Sequence, residues 1–120
     1  MIRAFLLDAN QKDLYKLDTM LQQSGKVAVI GTSSHPQSAL DQIVELQPDA
    51  LFLDLQLHGL QGVLVAEQIK LQLPAIQIVV ITESKQYALW AFDQAIADYL
   101  LKPLEEDRLC QSLDRLRKGS

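Results

Sequence analysis

The chain has 120 residues, a formal net charge of −4 at pH 7 and 48% hydrophobic residues. This length fits one domain, and the ordinary apolar fraction excludes a disordered or collagen-like chain. The acidic balance disfavours direct binding to nucleic acid, which requires Lys and Arg to neutralise phosphates. The single cysteine, Cys110, cannot form an intrachain disulfide. Together with the lack of a membrane-length apolar run or a secretory signal, it favours a cytoplasmic protein with no membrane partner.

Short apolar runs alternate with segments of helical periodicity along the whole chain, a pattern that predicts βα units. Solid apolar runs are typical of a parallel sheet that is covered on both faces. The predicted strands are residues 3–7, 27–32, 50–53, 77–82 and 98–101.

Each predicted strand is followed by a predicted helix. The first helix carries a leucine stripe, has Asn10 as its predicted N-cap and ends at the Ser24-Gly25 pair. Asp13 lies in its first turn, where a carboxylate suits the positive end of the helix dipole. The other helices are predicted at residues 36–47, 63–71, 86–94 and 105–117.

Five such units with right-handed crossovers predict an α/β, doubly wound, five-stranded parallel sheet in the order 2-1-3-4-5, the flavodoxin-like arrangement. We expect one domain over residues 1–118. The terminal Gly119 and Ser120 are interpreted as a cloning remnant after a truncated helix.

Doubly wound folds bind ligands beyond the carboxyl ends of their strands, where the strand order reverses. Predicted strands 1, 3 and 4 end in Asp8, Asp54 and Thr82, and Lys102 follows strand 5. In the order 2-1-3-4-5 these four groups converge on one rim. The simpler alternative is that the two aspartates are ordinary strand-end or helix-capping residues and that Lys102 pairs with one of them.

Paired carboxylates at such a rim suit Mg²⁺, which prefers one or two protein carboxylates together with water and phosphate oxygens. An aspartate can also act as the nucleophile towards a phosphoryl group, with a neighbouring ammonium and hydroxyl neutralising the oxygens. Asp54 is the predicted acceptor of that group.

These residues resemble the receiver domain of bacterial two-component response regulators over residues 2–118. The motifs that carry the resemblance are IRAFLLDAN, PDALFLDLQLHGLQG, VVITES and YALWAFDQAIADYLLKPL. The last motif looks most like receivers of transcription regulators that carry a further C-terminal effector domain.

The resemblance implies a role for each of six positions at the rim. Asp54 would accept the phosphoryl group, and Asp8 and the main-chain carbonyl of Gln56 would join it in binding Mg²⁺. Lys102 and Thr82 would contact the phosphoryl oxygens. Tyr99 would be the aromatic switch. Gly59 and Gly62 match glycines of the loop after the acceptor, where turn conformations favour glycine.

Three positions depart from the family pattern. Ala9 stands where the family has a second acidic residue, which we expect to weaken metal binding. Glu83 follows Thr82 at a position that is usually small, where its carboxylate could crowd a phosphodonor or reach the metal. His58 replaces a common proline and is expected to be a solvated loop residue.

The function that the resemblance implies is to accept a phosphoryl group on Asp54 and to switch an attached effector, which lies outside this chain and binds DNA. The donor would be the phosphohistidine of a sensor histidine kinase or a small acyl phosphate. Such a domain is not an enzyme beyond gaining and losing its own phosphoryl group. One alternative is a degenerate receiver that signals through protein contacts without Mg²⁺-dependent phosphorylation. Another is an unrelated hydrolase or flavin-binding protein on this fold.

The fourth helix offers a candidate partner surface. Ala88, Ala91, Phe92 and Ala95 have the spacing of a core-facing stripe, which leaves Leu89 and Trp90 without a place in the core. We therefore expect Trp90 to be central to a homodimer interface, since the family commonly dimerises through helix 4, strand 5 and helix 5. The alternative is that Trp90 lies flat over its own helix and the fifth.

Overall fold

The protein is described by a computed structural model that covers residues 1–57 and 61–118. Five parallel strands form one sheet in the order β2-β1-β3-β4-β5, which confirms the predicted doubly wound arrangement. The strands are β1 (Ile2–Leu7), β2 (Val27–Ser33), β3 (Ala50–Leu53), β4 (Gln77–Thr82) and β5 (Asp98–Leu101).

A helix follows each strand, as the alternating sequence pattern predicts. The helices are α1 (Gln11–Ser24), α2 (Pro36–Leu46), α3 (Gln61–Gln72), α4 (Ala88–Asp93) and α5 (Glu106–Arg115). The predicted boundaries differ from these mainly at α3, which begins two residues earlier, and at α4, which is shorter at its beginning. No helix among the described residues has the length and apolar character needed to cross a membrane.

The core lies on both faces of the sheet. Leu6 and Phe52 belong to the buried cluster that α1 and α5 cover, whereas Phe5 and Leu51 belong to the cluster that α2 and α3 cover. Neighbouring residues along a strand point to opposite faces, so a central strand that is covered on both sides must be apolar at every position. This requirement ends at the ends of the strands, and the polar residues Asp8, Asp54 and Thr82 occur at their carboxyl ends.

Helix α1 is fixed at both ends by the residues that the sequence predicts. The Asn10 side chain accepts a hydrogen bond from the backbone amide of Asp13 at 3.0 Å, which is a standard N-cap interaction. Gly25 ends the helix with a positive φ of 70°, a conformation that glycine adopts without steric penalty. Asp13 is thereby held in the first turn, directly after the end of β1.

Helix α4 corrects the prediction made for its apolar face. Phe92 and Leu89 are 84% and 82% exposed, while Ala91 is buried and Trp90 packs against the core cluster on the α3 side of the sheet. The helix ends at Asp93 and the chain then turns at Ala95, whose positive φ of 54° shows that this member of the predicted stripe is not helical. Packing the large indole, rather than the Phe92 ring, against the core therefore sets the orientation of this short helix.

Gly62 is needed for close packing rather than for a turn. It lies inside α3, where a Cβ atom would come within 2.3 Å of the Leu55 carbonyl oxygen. The expectation that this glycine adopts a turn conformation is therefore wrong. Gly59 and His58 lie outside the described residues.

Candidate functional site

Three carboxylates surround one ammonium at the carboxyl ends of the strands. The Lys102 Nζ lies 2.8 Å from Asp8 Oδ2, 2.8 Å from Asp13 Oδ2 and 2.6 Å from Asp54 Oδ2. These four residues are called the carboxylate–lysine cluster below. The simpler reading, in which Lys102 pairs with a single aspartate, is wrong.

The order of the strands explains why these residues meet. Strands β1 and β3 are neighbours, so Asp8 and Asp54, which directly follow them, lie side by side. Lys102 follows β5, and its backbone amide donates to the Thr82 carbonyl at 2.8 Å, which extends the β4–β5 pairing to the rim. Its long side chain then reaches across the end of β4 to the two aspartates.

Backbone amides hold the oxygens of the two aspartates that do not face Lys102. Asp54 Oδ1 accepts a hydrogen bond from the Gln56 amide at 2.8 Å, and Asp8 Oδ1 accepts one from the Asn10 amide at 2.9 Å. Both carboxylates are therefore fixed in orientation. The same contact places Gln56, the predicted carbonyl ligand, beside Asp54.

Burial and charge oppose each other within the cluster. The side chains of Asp8 and Asp54 are each 7% exposed and that of Lys102 is 10% exposed. Burial disfavours the charged lysine, but the hydrogen bonds to Asp13, Asp54 and Asp8 outweigh it and raise the pKa of Lys102. For Asp8 burial dominates: it raises the pKa of the carboxyl against the lowering effect of the hydrogen bonds from Lys102 and Asn10. One cation thus leaves a surplus of negative charge at the rim.

Thr82 and Tyr99 lie next to the cluster on the same side of the sheet as α3. Thr82 is fully buried, and its Oγ1 has no hydrogen-bond partner among the described residues. Tyr99 packs against the same core cluster as Trp90, and its hydroxyl donates to the Ser84 carbonyl. The aromatic ring is thus turned inward behind the loop that follows Thr82.

The donor set fits a magnesium ion that keeps part of its water shell. In the described parts of the chain, no three Asp, Glu, His or Cys side chains are spaced to hold a metal ion by themselves. Mg²⁺ needs only one or two protein carboxylates, however, and the buried Asp8 and Asp54 carboxylates lie side by side with surplus negative charge. The unpartnered Thr82 hydroxyl is a further oxygen near this rim.

Asp13 is the residue of the cluster that sequence reasoning missed. The sequence suggests only an interaction with the helix dipole, yet its carboxylate contacts Lys102 as closely as Asp8 does. The available signal was that α1 begins at the rim where β1 ends, so the first turn of α1 lies beside the site.

Two of the three departures from the family pattern, Ala9 and Glu83, lie at the surface, and the third, His58, is outside the described residues. Ala9 and Glu83 are both exposed. Glu83 lines a cavity of about 450 Å³ together with Asp8, Asp13 and Lys102. It therefore adds negative charge to the entrance without forming part of the cluster.

Comparison with known proteins identifies the family. The sequence matches the family model of the response regulator receiver domain over residues 4–114. The chain therefore belongs to the response regulator receiver family.

Curated relatives resemble the chain over almost all of its length. An uncharacterised response regulatory protein of Vibrio cholerae is 34% identical over 116 residues, which cover 97% of this chain and 48% of that protein. The sensory transduction protein LytT of Bacillus subtilis is 34% identical over 118 residues, covering 98% of this chain and 49% of LytT. The chain spans about half the length of the curated relatives it matches.

Solved structures share the architecture. The response regulatory domain of protein mrkE from Klebsiella pneumoniae has a TM-score of 0.88 and 27% identity, covering 96% of this chain and 94% of that chain. The response regulator domain of Thermotoga maritima CheB, at 16% identity and a TM-score of 0.86, shows the same fold over 97% of this chain and 96% of that one.

The raised pKa of Asp8 gives a prediction about stability. Because the folded state disfavours ionised Asp8, its charge lowers the free energy of unfolding at neutral pH. We expect Asp8→Asn to unfold at a higher temperature than the wild type at neutral pH. The difference should shrink as the pH falls through the pKa of Asp8, where the wild-type carboxyl also becomes neutral. Asp41→Asn, at an exposed position of α2, is the control. Equal melting temperatures for Asp8→Asn and the wild type at neutral pH would contradict this electrostatic account.

Proposed function

We propose that the chain is a phosphorylation-controlled receiver in which Asp54 accepts a phosphoryl group and thereby switches an attached effector. The observation that supports this most strongly is the setting of the Asp54 carboxylate. It is buried at the rim, with Oδ1 fixed by the Gln56 amide and Oδ2 held 2.6 Å from the Lys102 ammonium. A nucleophile that is oriented in this way beside a cation suits phosphoryl transfer.

In the proposed step an Asp54 carboxylate oxygen attacks the phosphorus of a donor. With phosphohistidine the P–N bond breaks, and the imidazole retains the electron pair and later takes up a proton. With acetyl phosphate the P–O bond breaks and acetate leaves. The Lys102 ammonium then has a phosphoryl oxygen as its new acceptor, which neutralises charge on the transferred group. The chain acts as an acceptor in this scheme, rather than as an enzyme that turns over a substrate.

Asp8, Asp54 and the main-chain carbonyl of Gln56 would hold the Mg²⁺ ion that receivers typically bind at the acidic phosphorylation site. When bound, the ion supplies positive charge against the phosphoryl oxygens. Ala9 contributes no carboxylate, so we expect the affinity for Mg²⁺ to be low.

Thr82 and Tyr99 are the residues that would transmit the change. The unpartnered Thr82 Oγ1 has the capacity to donate a hydrogen bond to a phosphoryl oxygen on Asp54. The Tyr99 hydroxyl is tied to the Ser84 carbonyl in the loop that follows Thr82. Movement of the loop would therefore alter the packing of Tyr99 and the orientation of α4. Phosphorylation shifts such an equilibrium only by its differential affinity for the two states.

The partners are inferred from the family and the relatives. We propose that a sensor histidine kinase is the phosphoryl donor. We also propose that the receiver domain extends over residues 1–118 and that the protein is cytoplasmic. The transcriptional regulatory protein BtsR of Salmonella typhi is 32% identical over 118 residues that make up 49% of its length. By analogy, the effector of this protein would be a DNA-binding domain outside the chain described, and the receiver itself would not contact DNA.

One observation favours a second candidate, a degenerate receiver that signals without phosphorylation. Ala9 leaves the rim without an adjacent second acidic residue, so a Mg²⁺ ion would have one carboxylate fewer to hold it. In such a protein the ion pairs of the cluster would be permanent.

Intact mass after incubation with acetyl phosphate separates the two candidates. We expect a phosphoryl adduct on the wild type that requires Mg²⁺ and is absent from Asp54→Asn. Asp49→Asn is the matched control, since Asp49 lies at the opposite end of β3, and it should be labelled as the wild type is. If Ala9→Asp is labelled and the wild type is not, the result would contradict the phosphorylation switch and favour the degenerate receiver.

We also propose that the exposed face of α4 is a homodimer surface. Leu89 and Phe92 are almost fully exposed, and Leu101 on the edge strand β5 is more than one third exposed. Exposed large apolar groups of this kind mark interaction sites. The earlier expectation that Trp90 is central is corrected, because its side chain is packed against the core.

A double variant tests this surface. Leu89→Ser with Phe92→Ser removes the exposed apolar area, so we expect it to weaken self-association of the phosphorylated protein in analytical ultracentrifugation by at least tenfold, or about 1.4 kcal/mol. Leu71→Ser, at an equally exposed leucine on α3, is the control and should associate as the wild type does. An unchanged dissociation constant in the double variant would rule out this surface.

A further inference from the structure

The contacts of Lys102 form a complete tripod. An ammonium has three N–H donors and no acceptor, and here three carboxylate oxygens lie at 2.6–2.8 Å from the nitrogen. Each donor is therefore matched by one acceptor from a different element: Asp8 after β1, Asp13 in α1 and Asp54 after β3. A saturated ammonium cannot rotate freely about its terminal bond.

Asp13 is well placed to set the position of this tripod. Its backbone amide is anchored by the Asn10 side chain, and Asn10 in turn donates its own amide to Asp8. The Asp13 carboxylate is 35% exposed, whereas those of Asp8 and Asp54 are each 7% exposed. Asp13 is thus the outermost of the three acceptors, and it lines the same cavity as Lys16 and Glu83.

We propose that Asp13 is the positioning residue of Lys102: together with Asp8 it keeps the ammonium at the rim when Asp54 gives up its contact. This inference deepens the phosphoacceptor function proposed above and rests on it. Transfer of a phosphoryl group to Asp54 removes the carboxylate charge and releases one N–H donor. Because Asp8 and Asp13 still hold the ammonium, the released donor is directed at the phosphoryl oxygens. With Asp8 alone, the flexible lysine side chain would lose its fixed direction.

The first experiment measures the ammonium itself. Lysine ammonium groups that are held by hydrogen bonds exchange protons slowly enough to give sharp ¹⁵N–¹H signals at mildly acidic pH, whereas solvated ones do not. We expect a resolved Lys102 signal in the wild type, assigned by its loss in Lys102→Met. The signal should be lost or strongly broadened in Asp13→Ala. Asp13→Asn keeps an acceptor oxygen without the charge and should give an intermediate result.

The matched control lies five residues further along the same helix. The Asp18 carboxylate accepts a hydrogen bond from the Gln22 side chain at 2.8 Å, so Asp18→Ala also removes a helix carboxylate and one hydrogen bond. The Lys102 signal should persist in this variant. Unfolding curves for all variants establish that each remains folded. A Lys102 signal in Asp13→Ala that is as sharp as in the wild type would overturn the positioning role.

The second experiment asks what the position is used for. The rate of labelling by acetyl phosphate should fall about tenfold in Asp13→Ala, as expected when one charge-assisted hydrogen bond no longer supports the transition state. Asp13→Asn should lie between Asp13→Ala and the wild type, and Asp18→Ala should match the wild type. If the wild type is labelled, an unchanged rate in Asp13→Ala would overturn the inference. If the wild type is not labelled at all, the phosphoacceptor function fails, and the ammonium signal still decides whether Asp13 holds Lys102.

Discussion

The interaction on which the site depends is the contact of one buried ammonium with three carboxylates. Asp8 and Asp54 follow neighbouring strands, Asp13 belongs to the first helix, and Lys102 follows the last strand. Burying any one of these charges alone is strongly unfavourable, because charge is stabilised far better by water than by a protein interior. The four are tolerated because they are together. The cluster therefore requires the correct strand order, the correct start of α1 and the correct end of β5.

This dependence links the fold to the proposed chemistry. The same polar contacts that allow Asp54 to be buried also orient it, since one oxygen is held by the Gln56 amide and the other by Lys102. Burial raises the pKa of Asp8, with a smaller contribution from the neighbouring Asp54 charge, and a divalent cation at this rim would favour the ionised carboxylates. Features that reduce stability at the rim are thus the ones that suit binding of a cation and a phosphoryl group, as stability and function often conflict at active sites.

The sequence predicts the fold well because solid apolar runs and helical stripes leave few alternatives, and Asp8, Asp54, Thr82 and Lys102 follow from their positions at strand ends. It predicts less well where two arrangements have similar patterns. Around α4, alanines and aromatics can be assigned to either face, and burial of Trp90 rather than Phe92 becomes apparent only from packing. Asp13 was missed because a carboxylate in a first helical turn has a sufficient local explanation, whereas its contact with Lys102 spans 89 positions of the chain.

The role of Lys102 in holding the site together is tested most directly by measuring how the effects of Lys102 and Asp8 on stability depend on each other. Free energies of unfolding at neutral pH would be determined for the wild type, Lys102→Met, Asp8→Asn and the double variant. Removing Lys102 leaves buried carboxylates without a cation, so we expect Lys102→Met to lose about 3–5 kcal/mol. Asp8→Asn should then stabilise the Lys102→Met protein more than it stabilises the wild type, by a coupling of at least about 1 kcal/mol. Equal effects of Asp8→Asn in the two backgrounds, or an unchanged stability of Lys102→Met, would contradict the claim that this one ammonium holds the site together.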